Sequence, residues 1–259
     1  MTRDELESEL AAWDVDPGET LLVDERDGDV IGFGGVEVSP GWEHADLFGP
    51  LVAPAFRGHK LGTILLEASL ERAEARGAER VLASVGTRNP GGRLLLERAG
   101  FHRRGTASAI FRLSPSDHKP VAGGPRGLSI RRGTGDDLET ALELYRECFP
   151  EGVFPDAAWR EGLDEGTVYL AESERGKALA IVNIDPSDRW IYHLGVIEGE
   201  RSHGVGGSML SSALQDYWQG HPGDVLGLSV RADNLPALRL YRRQGFAPLL
   251  TVESFELPL

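Results

Sequence analysis

Residues 190–218 read WIYHLGVIEGERSHGVGGSMLSSALQDYW. The run 190–197 is β-branched and aromatic, the composition of a strand. From Met209 onward, Met209, Leu210, Leu214 and Tyr217 recur at helical spacing. Between them stand Arg201, Gly204, Gly206 and Gly207, so a strand passes into a helix through a glycine-rich loop. A helix N-terminus presents unpaired N–H groups and partial positive charge, and glycine lets a ligand approach them closely. The loop has neither the Gly-Lys-Ser/Thr of a P-loop nor the spacing of a dinucleotide fingerprint. Taken alone it suits a phosphate cradle or a tight turn equally well.

The same pattern occurs earlier in the chain. Val52 and Arg57 precede Val196 and Arg201 by 144 residues, and Asn89 and Gly100-Phe101 precede Asn234 and Gly245-Phe246 by 145. Between the copies, residues 114–127 (SPSDHKPVAGGPRG) have the composition of a linker. This organisation predicts domains at 1–113 and 128–259 separated by a linker over 114–127. The second copy reads as strand 128–133, helix 136–148, strands 167–173 and 177–185, the strand–loop–helix above, strand 224–230 and helix 235–246 with Gly245 at its C-cap. The first copy opens with a helix over 4–13 and a strand pair at 20–25 and 30–38. It lacks a counterpart of the first strand and helix of the second copy. An incomplete unit of this kind leans on its neighbour, so a broad contact between the halves is expected.

A chain of 259 residues, 41% hydrophobic, can bury one large core or two ordinary ones. The formal net charge of −14 argues against generic nucleic-acid binding. One cysteine, Cys148, permits no intrachain disulfide and no cysteine-based metal cluster, and the seven histidines show no ligand spacing. No metal is therefore expected. The N-terminus lacks a signal-peptide pattern, and no apolar run approaches a membrane span, so a cytoplasmic location without membrane contact is expected.

With Arg201, Gly204 and Gly206 in the loop, and Asn234, Tyr241, Gly245 and Phe246 following in order, the chain resembles the GCN5-related N-acetyltransferases (GNAT). Their signature is Arg/Gln-x-x-Gly-x-Gly/Ala between the fourth strand and third helix. Residues 128–145 look like the family's opening strand and helix. The resemblance spans 128–259 and, more loosely, 1–112, in a tandem layout resembling that of the mycothiol synthases. It implies an α/β fold of two GNAT domains, each a mixed central sheet flanked by helices, the first truncated at its start.

It also implies acetyl-CoA as cosubstrate, lying where the strands ending near Val196 and Val230 splay apart. Backbone groups of Val196 and Ile197 would follow the pantetheine arm. Ser202, His203, Gly204, Val205, Gly206 and Gly207 would wrap the pyrophosphate beside Arg201, with Asn234 opposite. Tyr241 resembles the family's general acid, although a tyrosine there can also simply cover the sheet. His193 is a candidate base, since neutral imidazole accepts a proton near pH 7, but a histidine packed beneath a helix reads as well. Glu172, Asp185 and Glu198 are alternatives, or solvated strand ends. Cys148 has no activating partner, so an acyl-cysteine route is not expected.

In the first copy Arg57, Gly62 and Asn89 remain, but Lys60 replaces Gly204, Leu96 replaces Tyr241 and Gly49 replaces His193. The expectation is a first half that kept its fold and lost its chemistry. The second half is expected to move an acetyl group from acetyl-CoA to a primary amine of a small molecule by direct attack in a ternary complex. The alternatives are a non-catalytic CoA-binding or sensing module, a structural pseudoenzyme, or another acyl donor or a hydroxyl acceptor. The chain is expected to be a monomer or a homodimer.

Overall fold

A computed structural model describes residues 17–38, 43–121, 123–150, 152 and 154–259. The helix expected over 4–13 lies outside these residues. The chain divides into two units, one of residues 1–108 with 250–259 and one of residues 109–249.

The first unit begins with β1 (Leu21–Arg26) and β2 (Asp29–Glu37), antiparallel and joined at Asp27-Gly28, a residue pair favoured by two-residue hairpin turns. β3 (His44–Val52) continues the antiparallel run beside β2. Helix α1 (Leu61–Ala75) then crosses back, as a parallel connection requires, to β4 (Arg80–Gly86). Helix α2 (Pro90–Arg98) leads into β5 (His102–Leu113). The last strand of the chain, β11 (Ala247–Pro258), runs antiparallel to β4 from Val252 to Pro258. Its Phe255 enters the same core as Val36, Leu66, Val81 and Phe101. The C-terminal ten residues therefore complete the first unit, although they follow the second in sequence.

The second unit takes the end of β5 from Ala109 onward. It continues through β6 (Ser129–Arg132), α3 (Leu138–Cys148), α4 (Asp156–Asp164), β7 (Val168–Glu172), β8 (Ala178–Asp185) and β9 (Trp190–Val196). Then come α5 (Val205–Gly220), β10 (Leu226–Arg231) and α6 (Leu235–Arg243). The strand order is β5-β10-β9-β8-β7-β6, with β6 to β9 antiparallel and β9 parallel to β10. Covered on both faces, β7 and β8 are apolar almost throughout, and Leu170, Ile181 and Val182 are fully buried. Helix α5 buries Met209, Leu210, Ala213 and Leu214 against this sheet. Each of these Met and Leu side chains contributes roughly 1.5–3 kcal/mol on leaving water. The capping box of Thr134 with Asp137 starts the turn before α3, and Arg131 grips Asp137 and Glu172 together, fixing β6 to β7.

The mixed α/β fold read from the sequence is present in both units. Helix α4 was not expected. Its Trp159 and Leu163, four residues apart, are buried, but the short span offers too few apolar positions to reveal a helical period. Among the described residues no helix is long and apolar enough to cross a membrane.

Candidate active site

Only Trp190 and Ile191 of β9 pair with β10, at Gly227 and Leu228. Beyond them the strands separate, opening a gap along 192–196. Ile197 N–H bonds Leu179 O on the β8 side, so alternation turns the N–H and carbonyl groups of Leu194 and Val196 toward the gap. The Val196 carbonyl accepts from Arg201 Nε at 2.9 Å, which leaves its N–H facing the opening. That bond folds the loop back on the strand end, and the guanidinium also meets the Cys148 thiol at the end of α3. Gly204 is the N-cap of α5 at φ +90°, in the left-handed region that disfavours a side chain. The helix has no side-chain cap and no acidic residue in its first turn. Its first N–H groups are thus unopposed by a carboxylate, the arrangement that receives a phosphate. Leu240 of α6 packs on Gly206 and Gly207, setting α6 against this turn.

Asn234 has a local role in the structure: its Oδ1 accepts from Ala237 N–H and caps α6. Tyr241, on the same helix, is buried, its ring against Phe246 and Phe111 at 5.5 and 6.4 Å. Burial pushes its hydroxyl up to about 12, so the phenol remains protonated. His203 lies exposed in the loop, whereas Val205 is buried at the start of α5.

His193 points to the other face of the sheet. Its ring meets Phe154, Tyr145, Trp159 and Phe149 at 4.6–5.6 Å, beneath α3 and α4. Its Nδ1 is buried without a hydrogen-bond partner, and burial lowers its pKa to about 4. In the unfolded chain the same group titrates near 6.5, so between pH ~6.5 and ~4 only the unfolded state takes up the proton. Stability is therefore expected to fall as the pH drops through that window, then level off. Urea melts of wild type and His193→Phe, which retains an aromatic ring, are expected to diverge less at pH 7 than at pH 4.5, with the variant gaining at the acid end. Equal differences at both pH values would remove this assignment.

The carboxylates named with His193 have other duties. Glu172 accepts from Arg131, and Asp185 accepts from Ser187 at the turn after β8. Glu198 is exposed on the turn after β9. Burial holds the Cys148 thiol up at about 11, which makes it a poor nucleophile.

The sequence model of the GNAT acetyltransferase family matches this chain at residues 2–101 and again at 138–246. The chain belongs to that family. Among its relatives, a mycothiol acetyltransferase of Clavibacter sepedonicus is 30% identical over 249 residues, 89% of this chain and 78% of its own length. Another, from Saccharomonospora viridis, is 27% identical over 252 residues, covering 87% and 78%. A GCN5-related N-acetyltransferase of Sphaerobacter thermophilus shares the fold at a TM-score of 0.80 and 22% identity, over 97% of this chain and 85% of its own. A tandem GNAT protein from the clavulanic acid pathway aligns at a TM-score of 0.66 and 17% identity, over 92% and 83%. The chain is an acetyltransferase of GNAT type, with two copies of the fold.

The first GNAT unit keeps more of the loop than its sequence suggested. Arg57 Nε bonds Val52 O at 3.0 Å, as Arg201 does Val196 O. Both loops place their second and fourth residues in the left-handed region: Gly58 and Lys60 in one, Ser202 and Gly204 in the other. Lys60 accepts φ +65° and caps α1 just as Gly204 caps α5, so a side chain there does not prevent the turn. β3 likewise parts from β4 after Asp46, and Asn89 caps α2 through Gly92 N–H. The losses lie elsewhere. Leu96 is buried at the position of Tyr241, and Gly49 adopts φ +77° with backbone 2.9–3.0 Å from any added Cβ. A histidine has no room at that point.

Two features of the GNAT fold went unread in the sequence. One is the aromatic cluster around His193, which depends on α4. The other is Gln244, fully buried at the end of α6. Its only signal was Ser208 and Ser211, two small polar residues on the buried face of α5.

Proposed function

We propose that the second unit transfers an acetyl group from acetyl-CoA to a primary amine of a small molecule, while the first unit is a degenerate GNAT domain. The supporting observation is the meeting of the β9–β10 gap with an uncapped, acid-free helix N-terminus beside Arg201. In this reading Val196 lines the pantetheine arm, while Ile197, its N–H held by Leu179 O, closes the end of that wall. Arg201 and residues Ser202, His203, Gly204, Val205, Gly206 and Gly207 receive the pyrophosphate. Asn234 shapes the opposite wall by capping α6. Acetyl-CoA supplies the activated acyl group when bound.

Tyr241, kept protonated by burial, gives its proton to the leaving thiolate. His193, with its basicity lowered by burial, serves better as a neutral wall of the acceptor side than as a base. With Glu172 and Asp185 engaged, Glu198 is the remaining candidate to take the ammonium proton, acting through water. Direct attack of the neutral amine suits a site whose one cysteine is unreactive. The names of the relatives make mycothiol acetylation the first acceptor reaction to try.

Calorimetric titration of the full chain with acetyl-CoA tests the reading. Saturable binding is expected, with a dissociation constant in the range of about 1 μM to 1 mM in which enzymes commonly hold substrates. Absence of binding, with and without candidate amines, would contradict it. Binding with no thiol release for any amine would leave the sensing module as the better account.

A further inference from the structure

We propose that Gln244 is a positioning residue for acetyl transfer, fixing the phosphate-binding turn of α5 relative to the acid-bearing helix α6; this rests on the acetyl-CoA reading above. Its side chain is completely buried, and every hydrogen-bonding direction in use converges on those two helices and the 114–127 segment. Gln244 Nε2 donates to the carbonyl of Gly207, in the first turn of α5, at 2.9 Å. Its Oε1 accepts from Ser211 Oγ at 2.9 Å and from His118 Nε2 at 3.0 Å. Its main-chain carbonyl accepts from Lys119 N–H at 2.9 Å. Because Gly207 O can only accept, the amide orientation is determined, and reversing it would set oxygen against oxygen.

The segment that reads as a linker is part of this arrangement. His118 packs against Trp218 of α5 at 5.3 Å between ring centroids. Val121 N–H donates to Ser211 Oγ at 2.9 Å, and Val121 also packs on Gly207. Pro125 lies 3.9 Å from the point where Gly204 would carry a side chain. The strap thus follows α5 from Ser211 back to its N-cap, with Gln244 holding its start.

A merely structural network would be expected in both copies of the fold. The first unit has Ala99, Glu67 and Thr63 at the positions of Gln244, Ser211 and Gly207, so it has no such amide. The network accompanies the unit that carries Tyr241. Removing a buried hydrogen-bonding amide leaves Gly207 O, Ser211 and His118 without that partner, and the turn is then free to drift from α6.

The test uses two donors, acetyl-CoA and S-acetylpantetheine, which lacks the pyrophosphate and does not engage the turn. Gln244→Leu is expected to raise KM for acetyl-CoA about tenfold, the effect of losing a buried hydrogen-bonding amide, while changing KM for S-acetylpantetheine less than twofold. Ser211→Ala removes the bonds of Ser211 Oγ to Gln244 Oε1 and from Val121 N–H but leaves the Gln244–Gly207 bond. It is expected to give the same preference at about two- to threefold, so it decides the matter if Gln244→Leu does not fold. Equal losses for both donors, or none, in the folded variants would overturn the proposal. Failure of the wild type to use acetyl-CoA would instead overturn the functional reading beneath it.

Discussion

Replacing Tyr241 by phenylalanine is expected to lower kcat by about 10²–10⁴-fold, the usual contribution of a positioned general acid. The ring lies among Phe111 and Phe246, and phenylalanine preserves those contacts, so the fold and the affinity for acetyl-CoA should persist. Burial keeps the hydroxyl protonated throughout the physiological range. Only the proton delivery is removed. A thioester donor with an already acidic leaving thiol needs little help from an acid, so the variant should lose much less with it. Comparison of the two donors in steady-state assays reads this directly. A parallel loss of acetyl-CoA affinity and rate with both donors would instead make Tyr241 a packing residue. The first unit offers a natural contrast, since Leu96 fills the same position with no hydroxyl.

The largest effect on stability is expected at Gly245. It adopts φ +98°, and a Cβ there would stand 2.1 Å from the main-chain oxygen of Asp117. Backbone cannot give way as a flexible side chain can. Gly245→Ala adds a left-handed penalty of about 1–2 kcal/mol to an overpacking cost of about 1–3 kcal/mol. At roughly 2–4 °C per kcal/mol for a chain of this size, the melting midpoint should fall by about 4–20 °C. Gly100 is the internal control. It has φ +92°, but its nearest contact would be Leu257 Cδ1 at 3.4 Å, the end of a mobile side chain. Gly100→Ala should therefore lose only the conformational part, about 1–2 kcal/mol. Equal shifts in the two variants, measured by differential scanning calorimetry, would show that the Asp117 approach is not the constraint.

These two glycines also illustrate what the sequence made legible. Repetition of Gly-Phe at a fixed interval exposed the duplicated helix ends, and the 144-residue match of Arg57 with Arg201 exposed the duplicated loop. Backbone conformation was only half readable. Lysine at position 60 puts a side chain where bare backbone is favoured, and the loop tolerates it because the left-handed penalty is small beside the packing of a whole helix. The repeat also concealed the return of the last strand. Strand pairing depends on which edge is open, and residues 250–259 reach β4 by a route that periodicity does not record. The polar contacts of Gln244 and the aromatic surroundings of His193 join residues far apart in sequence, so spacing could not reveal them.

If acetyl transfer takes place in the second unit, the two equivalent N-caps should respond differently to added negative charge. A carboxylate placed at each equivalent N-cap tests it most directly, since it faces the incoming phosphates while remaining compatible with a helix N-terminus. Amine-dependent thiol release from acetyl-CoA should be compared in Gly204→Glu and Lys60→Glu. Gly204→Glu is expected to lose most of its activity through a raised KM for acetyl-CoA, and Lys60→Glu to retain it. Loss in Lys60→Glu with activity preserved in Gly204→Glu would contradict this and place the working site in the first unit.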